Sequence, residues 1–296
     1  MNLWSSFVKA VYSLGEVRLS YVLTAVALYT VSVVISGARW KKILLGLGCP
    51  VRLSQTSIGI IIGIFVSNIL PSSRIGGEVS RITLLRKWTP IDLKKAFVSI
   101  FYDRVAALVP SLFVVALSFP TLLRLFHRFN NIILIALLIL VLMIGLFLSY
   151  RSIGKFREWV LSRRRLVHSF RINPKNFGGA IGFSSLVWLQ DLLRLMVVSA
   201  AFGVHLSITQ AATLSIVILI CSIMPSLGGL GPTEGGLTAA LHLFGVSLET
   251  AIAITLLERA VSYVLSTCAG SIAVATLGGR RFLMRNSTLK EADLNS

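Results

Sequence analysis

Charge is scarce in this sequence. Asp, Glu, Lys and Arg supply 14% of its 296 residues, where a soluble domain carries about a quarter, so an ordinary solvated fold is excluded. Acid is scarcer than base: 11 Asp and Glu stand against 29 Lys and Arg, leaving +18. The three cysteines, Cys49, Cys221 and Cys268, are far apart, form no CxxC pair and require no disulfide. The four histidines (His127, His168, His205, His242) are scattered without metal-ligand spacing, so no metal site is expected. There is no Asp-x-Asp, GxSxG, P-loop, HExxH or Rossmann glycine pattern. Only 19 residues, 278–296, follow the last apolar run, too few for a soluble catalytic domain at that point. The expectation is therefore no enzyme activity and no cofactor. No nucleic-acid-binding motif accompanies the positive charge. It reads instead as the positive-inside bias and as contact with anionic headgroups.

What the sequence has is apolar length. It is 55% hydrophobic with a mean hydropathy of +0.84. Runs such as 19–36, 96–118, 131–150, 178–200 and 249–277 are long enough to cross a bilayer, which takes roughly 20 apolar residues. Alternating short segments of the β-barrel kind are missing. The expected fold is an all-α polytopic membrane protein with about six spanning helices plus two broken or re-entrant helical hairpins. Residues 1–18 (MNLWSSFVKAVYSLG and the next three) are too polar for a signal peptide core and read as an interfacial segment.

The basic residues fix a threading. Four lie in 37–52, six in 71–95, eight in 151–177 and four beyond 278, making 22 of the 29. All four segments are cytoplasmic only if 53–88 enters from the cytoplasm, breaks at Pro71 and returns. Segment 208–245 then does the same from the outer side, breaking at Pro225, and the C-terminal tail 278–296 is cytoplasmic. The single membrane domain, 19–277, divides into a first repeat (about 19–118), a linker helix 131–150 with the basic loop 151–177, and a second repeat (about 178–277).

The repeat is visible in the residues. VSNILPSSRIGGE (66–78) and ICSIMPSLGGLGPTE (220–234) each run from apolar residues into Pro-Ser, a glycine cluster and a glutamate. An acid–arginine pair follows each: Asp103-Arg104 in FYDRV and Glu258-Arg259 in LLERA. Threaded as above, the copies are inverted. Inverted repeats with broken helices are a recurrent transporter design, with the substrate near the midplane.

A break in lipid frees backbone groups that protein or a wet cavity must satisfy. Gly76 and Gly77, and Gly229 and Gly231, permit close backbone approach. A helix beginning after Gly76-Gly77, or after Pro232-Thr233, would aim free N–H groups and a positive dipole end at an anion. Ionisable side chains inside the membrane are functional candidates: Arg74, Glu78, Arg81, Asp103, Arg104, Glu234, Glu258 and Arg259. For Asp103 and Glu258 a cross-repeat ion pair that locks the fold stays open as an alternative. Asp191 and Arg194, at i and i+3, can pair on one helix face. Glu234 has no Lys or Arg within twenty residues; it either pairs at long range, with Arg104 or Arg259, or titrates. The spacing Gly59-x-x-x-Gly63 reads as helix packing.

In order and spacing, LPSSRIGGEVSRITLLRK, FYDRV, MPSLGGLGPTEGGLTAALHLFGVS, LLERA and ISGARWKKILLGLG (the last as an Arg-Trp turn after an early helix) resemble the flippase-like membrane domain of the lysylphosphatidylglycerol synthases. That family is shared with archaeal AglD-type proteins and stand-alone bacterial membrane proteins. The resemblance covers roughly 20–280. It implies movement of polar-headgroup lipids between leaflets of the cytoplasmic membrane. Arg74, Arg81, Arg104 and Arg259 would grip a phosphate, anionic or isoprenoid; Glu78, Glu234, Asp103 and Glu258 would balance them, hold a cationic headgroup or carry protons. The resemblance does not extend to the aminoacyl-transfer domain that follows in full synthases, so lysyl transfer is not implied. The alternative is a non-catalytic membrane subunit supporting a glycosyl- or lipid-transfer enzyme.

Overall fold

The computed structural model describes residues 3–70, 74–129, 172–222 and 230–277. Helix 131–150, most of the basic loop 151–177, the breaks at Pro71 and Pro225, Gly229 and the tail 278–296 lie outside them. Every regular element among the described residues is helical. We number them α1 (Leu3–Gly15), α2 (Leu19–Gly46), α3 (Leu53–Ile69), α4 (Arg74–Trp88), α5 (Leu93–Phe129), α6 (Pro174–Ala200), α7 (Ile208–Cys221), α8 (Pro232–Leu243) and α9 (Leu248–Arg259). A π-helical turn, Ala260–Val264, carries α9 on without a stop, so that Leu248–Leu277 is one apolar rod. This rod, Leu19–Gly46, Leu93–Leu122 and Pro174–Ala200 are the four described helices long and apolar enough to span a membrane.

Local chemistry sets the starts. Asn173 caps α6, its side chain accepting from the Lys175 N–H, and Pro174 fills the first helical position, where a missing N–H costs nothing. Ser207 and Gln210 close the start of α7 as a capping box. α2 is longer than the apolar run predicts. The stretch expected to turn at ISGARWKK stays helical to Gly46, because Gly37 lets the helix press on Ser57 of α3 and Trp40 is fully buried against Gly59. Arg39, Lys41 and Lys42 therefore sit on a helix rather than in a loop.

α3 and α4 form a hairpin, as do α7 and α8. Gly63 meets Gly77 and Arg81 across the first, and Gly236 meets Val217 and Cys221 across the second. α3, at 17 residues, is about 25 Å long and α7, at 14, about 21 Å, both short of a hydrocarbon core of about 30 Å. α2 packs along α6 in the antiparallel sense: Arg39 reaches Ser184, while Tyr29, lower on α2, faces Arg194. One apolar cluster (Val33, Trp40, Leu44, Ile82, Leu85, Ile100) gathers α2 to α5. Another (Leu195, Leu214, Leu237, Leu241, Ile254) gathers α6 to α9 and takes in Ala25 of α2. α1 lies against α9 through its buried Ser6 and Ala10 and the Lys9–Glu249 pair at 3.1 Å, leaving Trp4 and Tyr12 exposed. That is the amphipathic pattern of a helix in the interface plane.

Candidate functional site

The two copies superpose in sequence on an offset of 155 or 156 positions. Arg39 and Arg194, Asp103 and Glu258, and Arg104 and Arg259 are each 155 positions apart, and Glu78 and Glu234 are 156 apart. Their contacts match. Arg104 pairs with Glu78 at 2.7 Å, and Arg259 with Glu234 at 2.6 Å. Asp103 pairs with Arg39 at 2.7 Å, and Glu258 with Arg194 at 3.1 Å. Each acid thus bonds an arginine of its own repeat, not of the other one. The cross-repeat contacts of these two inner arginines are Arg39 Nη1 to Ser184 Oγ at 3.5 Å and Arg194 over the Tyr29 ring at 5.4 Å. These positions, 184 and 29, are again 155 apart.

Neighbouring residues on a helix point about 100° apart, so each acid–arginine dipeptide splits its charges. Asp103 faces inward and is 1% exposed, whereas Arg104, with a side chain 48% exposed, lies at the rim with Glu78. In the second copy Glu258 is inside, and the Glu234–Arg259 pair is at the rim, only partly buried.

The inner clusters are not equivalent. Asp103 receives two guanidinium groups: Arg39 through Nε at 2.7 Å and Nη2 at 3.3 Å, and Arg81 through Nη1 and Nη2, both 3.1 Å from Oδ2. Arg81 lies beneath the indole of Trp40, its Cζ 4.2 Å from the ring centroid, a cation–π contact. Trp40 is itself held by a 3.2 Å bond from Nε1 to Ser99. The Nε of Arg81 is buried without a partner. One carboxylate against two arginines leaves a surplus of one positive charge. In the second copy Leu237 occupies the place that matches Arg81, 156 positions on. There Arg194 meets two carboxylates, Glu258 and Asp191.

The helix starts differ from the sequence expectation. α4 begins at Arg74, so Gly76 and Gly77 lie inside its first turns and do not precede it. They are there for contact: a Cβ on Gly77 would strike the Gly63 carbonyl and the Ser67 hydroxyl. The Arg74 backbone opens α4. α8 begins at Pro232, with Gly231 at a φ of +90° that favours glycine. The anion place at that N-terminus is taken by the chain's own Glu234, which accepts from the Gly231 N–H at 2.6 Å. Of the two readings of Glu234, long-range pairing with Arg259 is the one that the geometry forms. Asp191 and Arg194 pair locally at 3.4 Å, as their spacing predicts. No group of three His, Cys, Asp or Glu with metal-holding geometry occurs among the described residues.

Sequence reasoning missed the role of Arg39, which entered only as a cytoplasmic base and as part of the Arg-Trp turn of the resemblance. The repeat offset could have found it, since Arg194 stands 155 positions on. It also missed Tyr263, whose hydroxyl donates to the Asn68 carbonyl at 3.0 Å while Arg259 stacks on its ring at 5.1 Å. With the 2.9 Å bond from Asn68 to Thr267, this ties the end of α3 to the second repeat.

The chain also has relatives. Over 96% of its length it is 24% identical to the UPF0104 membrane protein PH1989 of Pyrococcus horikoshii, covering 94% of that protein. It is 25% identical over 87% of its length to a UPF0104 membrane protein of Methanothermobacter thermautotrophicus, covering 86%. It is 26% identical over 86% of its length to MJ1595 of Methanocaldococcus jannaschii, covering 84%. Residues 3–270 match the model of the lysylphosphatidylglycerol synthase TM region. This chain, a multi-pass helical membrane protein, belongs to that family.

Proposed function

We propose that this protein is a lipid transporter that moves a phosphate-bearing polar lipid between the leaflets of the cytoplasmic membrane, without itself making or breaking bonds in it. The observation that carries the reading is the positive surplus at Asp103. Arg39 and Arg81 share one carboxylate inside apolar helices, and a net charge held in a low dielectric is costly until an anion completes it. A phosphate or phosphodiester is the anion that guanidinium groups bind best, through paired N–H donors. Arg104 at the rim would meet the headgroup first. Glu78, its partner, would give way to the phosphate, and the inner arginines would take the headgroup next. The hairpins would supply the moving parts, because α3 and α7, at 17 and 14 residues, are each shorter than the hydrocarbon core. Anionic and isoprenoid phospholipids both fit this chemistry. The orientation follows the basic residues, with the C-terminus in the cytoplasm.

The test uses purified protein alone in liposomes that contain fluorescent analogues of an anionic, a zwitterionic and an isoprenoid phospholipid. An impermeant quencher should bleach more than the outer-leaflet half of at least one phosphate lipid. Bleaching that stops at half for every lipid, with an enzyme co-purifying, would favour the non-catalytic subunit instead.

A further inference from the structure

The inner cluster of the second repeat is reversed in sign. A single nitrogen, Arg194 Nη2, lies 3.4 Å from Asp191 Oδ1 and 3.1 Å from Glu258 Oε1. The position that the repeat equates with Asp191 is Ser36, so the extra acid has no counterpart in the first repeat, just as Arg81 has none in the second. One copy carries a surplus of +1, the other of −1.

We propose that Asp191, Arg194 and Glu258 form a proton-binding site, in which the two carboxylates share one exchangeable proton that balances the lipid anion held at Arg39 and Arg81. The inference rests on the transport reading above and adds the coupling ion to it.

Among the described residues Arg194 is the cation that bonds these two acids, and the surplus of the first repeat reaches them only at longer range, through Arg39. From α2, the cluster faces Tyr29, over whose ring Arg194 sits, and Arg39, which is committed to Asp103. From α9 it faces Glu258, whose Oε2 accepts from Ser262 at 3.3 Å, while Arg259 is turned to Glu234. α5 offers Asp103 and Arg104, both paired within the first repeat. α7 carries no ionisable group except Cys221 at its far end. Two carboxylates on one guanidinium in an apolar interior cannot both stay ionised at low cost, and a proton is the smallest ion that removes the excess.

A second feature of the site calls for water. Arg194 is only 7% exposed, yet its Nε and Nη1 have no partner, and neither has the buried Oε1 of Gln190 beside it. Buried donors left without a protein partner are places that an ordered water can satisfy. The two acids differ in access: the side chain of Asp191 is 36% exposed and that of Glu258 is 2%. Asp191 is therefore the door and Glu258 the inner member. A hydronium ion gives its proton to an Asp191 oxygen and leaves as water; release runs the same step backwards.

The test is infrared difference spectroscopy of the full chain in lipid nanodiscs, between alkaline and acidic pH, beside lipid movement in liposomes under a pH gradient. On acidification the wild type should gain a protonated-carboxyl band in addition to those of its surface acids. Asp191→Asn, which leaves a neutral Arg194–Glu258 pair and should fold, should lose that band and the response of transport to the gradient. Glu234→Gln should keep the band. A wild type without the band, or a band that survives in Asp191→Asn, overturns the proposal even where lipid moves. A titrating band in a protein that moves no lipid sinks the transport reading and leaves the proton site standing.

Discussion

Replacing Arg81 with leucine should be far gentler on the fold than removing the carboxylate it binds. In Arg81→Leu the two 3.1 Å contacts to Asp103 Oδ2 vanish, but Asp103 keeps Arg39 at 2.7 Å and is not orphaned. The cation–π contact with Trp40 is lost, at about 0.5–2 kcal/mol. Against that, Arg81 is the surplus cation of the cluster, so its removal relieves a desolvation cost and leaves the Arg39–Asp103 pair balanced. The second repeat already has leucine at the matching place, so the shape is compatible. The net change should stay within about 2 kcal/mol, roughly 4–8 °C of melting temperature on the scaling for large domains. Asp103→Asn is the opposite case. It leaves two buried guanidinium groups without a counter-charge, and breaking one such pair alone costs about 3–5 kcal/mol, a large part of a total near 5–15 kcal/mol. Thermal unfolding of both variants in one detergent, followed by thiol exposure or by loss of the monodisperse peak, decides the matter. Equal destabilisation by the two, or a milder loss in Asp103→Asn, would refute the charge-surplus reasoning.

Other outcomes follow from the same geometry. Gly77→Ala should force α4 off α3 and destabilise by about 1–3 kcal/mol, measured as a lowered melting temperature, whereas Ala at the open Gly235 position should not. Glu234→Gln removes the carboxylate from Arg259 and from the Gly231 N–H and should cost about 1–3 kcal/mol; an unchanged melting temperature would show that the rim pair contributes nothing. In a background without Cys268, which is exposed, cysteines placed at Arg52 and Lys87 should react with impermeant reagent only from the cytoplasm, and those at His205 and His242 only from outside. Cys49 is buried with its thiol pushed up by that burial and should label slowly. Opposite labelling of the two ends of either hairpin would show that it crosses the membrane.

Much of this arrangement was legible in the residues. Apolar length marked the four described spans, and Pro-Ser with glycines marked the two hairpins. The acid–arginine dipeptides marked the places where charge is buried. The rest depended on tertiary contact. Glu234 looked isolated because its partner is 25 residues away, beyond any helical neighbour. Arg39 was hidden among flanking bases, since nothing local separates an arginine that anchors a helix end from one that turns inward. Gly76 and Gly77 suggested a turn, but their purpose is close packing within a helix, and that shows only when Gly63 is opposite. The difference in sign between the clusters needed both copies in register, because it arises from single departures from the repeat: Arg81 against Leu237, and Asp191 against Ser36.

The central claim is that Arg39 and Arg81 hold the phosphate of a lipid in transit. It is tested most directly by the rate of transbilayer movement of a phosphate-bearing lipid in liposomes holding wild type or Arg81→Leu, at equal protein content and with both proteins shown to be folded. The account predicts that the wild type moves the lipid and that Arg81→Leu slows it at least tenfold. Movement at the wild-type rate in a folded Arg81→Leu would contradict it.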